Sequence, residues 1–132
     1  METFLDSSVL LDLFTEDPHW LSWSQTQLTR AAQQGAVVIN AVVLAEIAPR
    51  FARIETLRSA LPSMAVIEEI PPAAAFLAGH AHADYRRSGS AREAVLPDFL
   101  IGAHAAVTNR PLLTRDPRRI ATYIPGATLI AP

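Results

Sequence analysis

The chain has 132 residues, of which 50% are hydrophobic and 18% charged, and its formal net charge is −2. This length fits one domain, so we expect a single domain over residues 1–132. The sequence contains no cysteine, which excludes disulfides and thiolate metal sites. Every basic residue is an arginine, so chemistry that needs a lysine ammonium is excluded as well.

The first residues and the apolar runs indicate the expected cellular location of the protein. Residues 1–6 lack the basic and apolar regions of a signal peptide. The longest apolar stretch, residues 36–48, contains Asn40 and Glu46 and is too short to span a bilayer. We therefore expect a cytoplasmic protein without membrane contact, and the high hydrophobic share predicts an apolar surface reserved for a partner.

Strand-like apolar runs alternate with helical periodicity along the chain. Ser7 and Ser8 are good caps for the first helix, Gly35 should close the second as its C′ residue, and Asn40 can cap the third. Pro49 should break or kink that third helix. In chain order we predict a strand at 3–5, a helix from 7 that is stopped at 17–18, a helix at 20–34, a strand at 36–39, helices at 41–48 and 50–61, a strand at 64–70, a helix at 71–87, a loop at 88–90, a helix from 98 to about 109, a strand at 111–114, a helix at 118–123 and a strand at 127–130.

This alternation predicts an α/β protein with a three-layer α/β/α architecture and a central, mainly parallel sheet of four to five strands. In such a sheet, ligands gather at the carboxyl ends of the strands. Asp6 ends the first predicted strand, Asp116 follows the fourth, and Asp98 begins the helix that leads into the fourth. Glu46 lies in the helix after the second strand and could reach the same edge.

Acidic residues that meet at one edge would repel one another and need a cation. Carboxylate oxygens without histidine or cysteine suit Mg²⁺ or Mn²⁺. An ion held by few carboxylates can polarise a phosphate and generate hydroxide, alone or as one of a pair. The pattern therefore indicates metal-dependent phosphate chemistry.

The chain resembles the PIN-domain ribonucleases, specifically the VapC-type toxins of bacterial toxin–antitoxin modules. The resemblance covers nearly the whole chain, in the order of the family's motifs. It rests on Phe4-Leu5-Asp6-Ser7-Ser8, Ile39-Asn40 with Glu46, Pro97-Asp98-Phe99-Leu100-Ile101-Gly102-Ala103-His104-Ala105, and Leu112-Leu113-Thr114-Arg115-Asp116. The chain departs from the family in Asn40, where Ser or Thr is usual, and in Ser7, where Thr is common.

The resemblance implies a PIN-like fold and hydrolysis of RNA phosphodiesters by a metal-activated water. It implies that one or two Mg²⁺ or Mn²⁺ ions are bound by Asp6, Glu46, Asp98 and Asp116. It also implies supporting hydrogen bonds from Ser8 and Thr114, with Asn40 as a further hydrogen-bonding residue at the second strand's end. The implied partners are an RNA substrate, a cognate VapB-like antitoxin and a second copy of the chain in a homodimer.

Each acid also has a structural interpretation. Asp6 could cap a helix, Asp98 is favoured by the helix dipole, and Asp116 before a proline is a good turn initiator. Glu46 interrupts an apolar helix and needs a partner. None of these interpretations explains why the acids should meet.

The remaining polar residues favour structural roles. We predict that Asp12 is a solvated helix residue rather than a fifth acid of the site, and that His104 is a packed helix residue. His80 and Asp84, four residues apart, are predicted to form a surface pair.

Several arginines flank the acids in the sequence. They could bind RNA phosphates, and they could equally form a solvated surface or contact an acidic antitoxin segment. We consider Arg115, Arg118 and Arg87 as RNA-binding candidates; Arg86, Arg92 and Arg119 also lie near the acids in the sequence.

Three alternative functions follow from the same residues. A receiver-type signalling domain would need a lysine at the site, and the chain has none. A non-catalytic PIN-like binding module would keep the acids without using them for catalysis. DNA instead of RNA as the substrate would use the same metal chemistry.

Overall fold

A computed structural model describes residues 1–89 and 95–132, and in these ranges five strands form one sheet in which every pair is parallel. The strand order is β3-β2-β1-β4-β5, so the first strand of the chain lies at the centre. The strands are β1 (Thr3–Leu5), β2 (Val37–Ile39), β3 (Ala65–Ile67), β4 (Leu112–Leu113) and β5 (Leu129–Ile130). The predicted parallel α/β/α architecture is confirmed.

Helices connect the strands and cover the sheet. In the described ranges they are α1 (Ser7–Phe14), α2 (Leu21–Gln34), α3 (Ala41–Ile47), α4 (Ile54–Ala60), α5 (Pro72–Arg87), α6 (Leu96–Val107) and α7 (Arg118–Tyr123). Helix α1 packs on α2 and α3, whereas α5 packs on α6 and α7. No helix in the described part of the chain has the length and apolarity that crossing a membrane requires.

Burial follows the position of each strand in the sheet. Every residue of β1 and β2 is buried, as expected for central parallel strands covered on both faces. In β3, Val66 and Ile67 keep 45% and 37% of their surface exposed, because this strand forms one edge.

The connections place a crevice between β1 and β4. From β1 the chain continues to β2 on one side, and β4 later pairs with β1 on the other. Ligands of open parallel sheets bind at such a reversal of strand order, outside the carboxyl ends. Leu5 pairs with Leu113 across these strands, so the next residues, Asp6 and Thr114, emerge side by side.

Two predicted elements differ most from the observed ones, and the bounds of several others shift by one or two residues. The helix over 50–61 is wrong: Ala48–Arg50 forms a 3-10 turn, and a regular helix begins only at Ile54. Phe51 leaves the helical path, and its ring packs edge-on against Phe14 with the ring centroids 5.2 Å apart. The strand predicted over 64–70 is restricted to β3.

Gly35 follows α2 as expected, but its backbone is extended rather than left-handed, so the C′ prediction is wrong. The position needs glycine for another reason, because a Cβ there would lie 2.5 Å from the carbonyl oxygen of Met1. The end of the predicted loop over 88–90 and Arg92 lie outside the described residues.

Candidate active site

Asp6 leaves the carboxyl end of β1 and is held by two hydroxyl groups. Ser8 Oγ and Thr114 Oγ1 each donate a 2.7 Å hydrogen bond to its Oδ2 atom. Although Asp6 precedes α1, its side chain makes no capping hydrogen bond. Burial raises the pKa of Asp6, the two hydroxyl groups lower it, and the nearby charge of Asp116 raises it again. The two hydroxyl contacts therefore replace a cap as the main interaction of this carboxylate.

Asp116 lies just beyond β4 and is the most exposed of the acids. Its backbone N–H donates a 3.0 Å hydrogen bond to Thr114 Oγ1, the hydroxyl that also contacts Asp6. Its side chain is 70% exposed and lies 3.7 Å from an Arg115 nitrogen. Thr114 thus joins the backbone that presents Asp116 to the carboxylate of Asp6.

Glu46 approaches the same edge from α3. Ser7 Oγ donates a 2.8 Å hydrogen bond to its Oε1 atom, and burial followed by the charge of Asp6 raises its pKa. Asn40 caps α3, because its Oδ1 accepts hydrogen bonds from Val42 N and Val43 N at 3.0 and 3.1 Å. Asn40 therefore stabilises the start of the helix that carries Glu46.

Asp98 stands in the first turn of α6, as predicted. Burial, followed by the charges of Asp6 and Glu46, raises its pKa to about 6. Arg119 opposes this shift, since its Nη1 atom donates a 3.2 Å hydrogen bond to Asp98 Oδ2. The charges of Asp6 and Glu46 act on Asp98, as expected for acids at one edge of the sheet.

These carboxylates suit a divalent cation by their chemistry. Their donors are oxygen atoms alone, which Mg²⁺ and Mn²⁺ prefer, and their mutual repulsion would be relieved by a positive ion. Within residues 1–89 and 95–132, no three acidic or histidine side chains are gathered closely enough to hold one ion. Hydroxyl groups contact Asp6 at Oδ2 and Glu46 at Oε1, and the Arg119 guanidinium contacts Asp98 at Oδ2.

An open cleft of about 730 Å³ lies over this region. Its polar lining combines acids, hydroxyl groups and cations: Asp6, Ser7, Ser8, Asp98, Arg115, Asp116, Arg118 and Arg119. Gly102 of α6 allows the close packing of α7, since a Cβ there would lie 2.6 Å from the Ile120 side chain. This packing brings Arg119 to Asp98.

Asp12 is almost fully buried, with 1% of its surface exposed, so the prediction of a solvated residue is wrong. Arg115 donates from Nε to both its carboxylate oxygens at 3.0–3.1 Å, and Ser24 Oγ donates a further 2.7 Å hydrogen bond. The Arg115 guanidinium also lies over the Trp20 ring, 5.7 Å from its centroid. Arg115 is therefore a structural cation as well as a lining residue.

The other arginine candidates differ in position. Arg118 is exposed and lines the cleft. Arg87 lies at the end of α5, where it pairs with Asp84. The predicted pair of His80 and Asp84 is therefore wrong, and His80 packs on the exposed Phe76 ring instead.

Residues Ser7, Asp12 and Glu68 take part in the site or its surroundings, and the sequence alone did not single them out for these roles. Their partners lie between 12 and 103 residues away along the chain. The one local signal was the unexplained carboxylate of Asp12 in an otherwise apolar helix. His104 is packed and fully buried, as predicted, with its ring 4.7 Å from that of Phe4.

Comparisons with known proteins agree on one fold. A family profile described as "PIN domain" matches residues 3–123. No curated protein matches the sequence significantly. Solved structures that are similar over nearly the whole chain include the following three.

The first is VapBC2 from Rickettsia felis bound to a DNA fragment from its promoter, at 21% identity, with coverage of 99% and 98% of the two chains and a TM-score of 0.72. The second is VapBC-1 from nontypeable Haemophilus influenzae, at 18% identity, the same coverage and a TM-score of 0.72. The third is a toxin–antitoxin complex from Klebsiella pneumoniae, at 24% identity, 97% and 95% coverage and a TM-score of 0.64.

Proposed function

Because this chain belongs to the PIN-domain family, we propose that it is a Mg²⁺- or Mn²⁺-dependent endoribonuclease that acts as the toxin of a toxin–antitoxin pair. PIN domains are generally nucleases. The observation that carries the proposal is that Asp6, Asp98 and Asp116 line one cleft at the carboxyl edge of the sheet, where Thr114 joins Asp6 to the backbone of Asp116. A single acid in a cap or turn does not explain this convergence.

In the proposed site, Asp6, Glu46 and Asp98 hold the principal ion, and Asp116 completes that site or a second one. When bound, Mg²⁺ or Mn²⁺ supplies positive charge that polarises the scissile phosphate and makes water easier to deprotonate. Ser8 and Thr114 orient the carboxylate of Asp6, and Ser7 orients that of Glu46. The exposed Arg118 contacts a phosphate of the RNA, since guanidinium groups suit that geometry.

The partners proposed for this chain follow from its relatives. The similar structures are VapBC complexes and a toxin–antitoxin complex, and two of them have TM-scores of 0.72. We propose a VapB-like antitoxin for this chain, a homodimeric state and a cytoplasmic location. Light scattering of the isolated protein tests the dimer, and a monomer at micromolar concentration would contradict it.

Controlled expression in a bacterial host tests the toxin function. The wild type and a Glu55→Gln control, altered far from the cleft on α4, should arrest growth and produce new RNA ends. Asp98→Asn should do neither at equal protein levels. Growth arrest by Asp98→Asn equal to that of the wild type would overturn the proposal.

A non-catalytic binding module is the alternative that remains. Titration of the purified chain with Mn²⁺ separates the two functions, because a binding module has no need of a metal at these acids. Cleavage assays with RNA and DNA of the same sequence identify the nucleic acid that is hydrolysed.

A further inference from the structure

A buried hydrogen bond joins Asn40, at the start of α3, to His104, near the end of α6. The Asn40 Nδ2 and His104 Nδ1 atoms lie 3.1 Å apart, and His104 is 0% exposed. Asn40 Oδ1 is already used by the two N–H groups that it caps, which fixes the orientation of the amide. Since an amide nitrogen only donates, His104 Nδ1 must accept, and the ring proton lies on Nε2.

The second ring nitrogen of His104 is held as firmly as the first. Nε2 donates to Glu68 Oε2 at 2.8 Å, and Arg110 donates to both oxygens of Glu68 at 2.7 and 2.9 Å. Both nitrogens of a buried ring are thus satisfied, which leaves the imidazole a single orientation. Arg110 and Glu68 set that orientation from the opposite side of the ring to Asn40.

Helices α3 and α6 pack together, and the Asn40–His104 bond joins them. Glu46 on α3 and Asp98 on α6 lie near enough for their charges to interact. Glu46 lies six residues after Asn40, and Asp98 lies six residues before His104. Six residues correspond to about 9 Å along a helix in both cases. The Asn40–His104 bond therefore fixes the relative position of the helices that carry Glu46 and Asp98.

His104 also reaches the third acid through β1. Its ring packs on Phe4, two residues before Asp6. His104 thus lies on α6 together with Asp98. It contacts Phe4 of β1, the strand before Asp6, and Asn40, the cap of the helix that carries Glu46.

We infer that His104, oriented by Asn40 and Glu68, is a positioning residue for a divalent-cation site formed by Asp6, Glu46 and Asp98. The inference rests on the proposed function, because it concerns the same site. His104 touches no substrate and binds no ion; it sets the separation of the three carboxylates.

The test is the affinity of the full chain for Mn²⁺, measured by isothermal titration calorimetry. A residue that hydrogen-bonds a metal ligand is worth about 10- to 100-fold in metal affinity. His104 acts one contact further away, so we expect the lower end of this range, about 10-fold weaker binding, for His104→Leu. Asn40→Ser should act similarly while retaining a capping hydroxyl, which guards against a folding defect of the histidine variant. His104→Gln can still accept from Asn40 and donate to Glu68, so its affinity should stay close to the wild-type value.

A matched control separates positioning from general stability. Leu57→Ala removes a buried side chain from α4, which carries none of the proposed ligands, and should lower thermal stability without changing Mn²⁺ affinity. If the wild type binds Mn²⁺ and both His104→Leu and Asn40→Ser bind it with the same affinity, this inference is overturned while the proposed function stands. Equal weakening in Leu57→Ala would overturn it too. Absence of Mn²⁺ binding by the wild type would overturn the proposed function and this inference with it.

Discussion

Ser7 Oγ and Glu46 Oε1 lie 2.8 Å apart, which joins the first residue of α1 to the acid of α3. Ser7 directly follows Asp6, so one short segment both presents the first acid and orients the second. Burial raises the pKa of Glu46, and the Ser7 hydroxyl opposes that shift by binding the charged form. The start of α1 is therefore part of the proposed metal site.

Ser7→Ala should raise the pKa of Glu46 further and weaken Mn²⁺ binding by about threefold to tenfold, since a typical intramolecular hydrogen bond contributes about 1 kcal/mol. Calorimetric titration with Mn²⁺ measures the effect. Ser59→Ala is the control, because the Ser59 hydroxyl donates to the backbone carbonyl of Glu55 within α4. Identical affinities for the two variants would contradict a role for Ser7.

Asp98→Asn should stabilise the metal-free protein at neutral pH. The pKa of Asp98 is raised from 3.8 to about 6, so folding favours its protonated form. The contribution of Asp98 to the free energy of unfolding should therefore be most favourable below about pH 4 and fall as the pH rises towards about 6. After allowance for the 41% exposure of the side chain, we expect a gain of about 1 kcal/mol at about pH 7.5.

Urea unfolding of the wild type and Asp98→Asn at several pH values checks this expectation. The difference in free energy of unfolding should shrink as the pH approaches 4, because both side chains are then uncharged in the folded state. A difference that stays constant between pH 4 and 7.5 would show that ionisation of Asp98 is not its cause.

Arg115→Ala should destabilise the fold, because it leaves the carboxylate of Asp12 buried with only Ser24 as its partner. Breaking a buried ion pair from one side costs about 3 kcal/mol. Arg118→Ala, an exposed arginine in the same cleft, should change stability by less than about 0.5 kcal/mol. Urea unfolding compares the two, and equal stabilities would mean that the Asp12 contact contributes little.

Arg118→Ala should instead weaken RNA binding in a salt-dependent way. If Arg118 neutralises one phosphate, its loss lowers the slope of log Kd against log salt by about 0.7 for a single strand. Fluorescence anisotropy in an Asp98→Asn background measures binding without cleavage. Arg58→Ala on α4 is the control and should leave the slope unchanged. An unchanged slope in Arg118→Ala would show that Arg118 does not contact an RNA phosphate.

The sequence was sufficient to predict that the site lies at the carboxyl ends of the central strands. Asp6 and Thr114 follow short apolar strands, and parallel pairing brings the ends of such strands together regardless of the chain between them. Asn40 was recognisable as a cap because capping is a contact between neighbours in sequence.

Sequence patterns did not predict the contacts between residues that are far apart in the chain. Asp12 looked like a solvated helix residue because its partner Arg115 is 103 residues away. The helix predicted over 50–61 fails for the same reason, since the packing of Phe51 on Phe14 overrides the local helical pattern. The metal roles of Asp6, Glu46, Asp98 and Asp116 remain predictions.

Cleavage of a mixed RNA pool by purified protein tests the central claim most directly. The wild type and Asp6→Asn are each incubated with Mg²⁺, Mn²⁺ or EDTA, with thermal unfolding to confirm that both are folded. Asn can still accept hydrogen bonds from Ser8 and Thr114, so the fold should persist. We predict metal-dependent cleavage by the wild type alone; equal cleavage by folded Asp6→Asn, or cleavage that survives EDTA, would contradict the account.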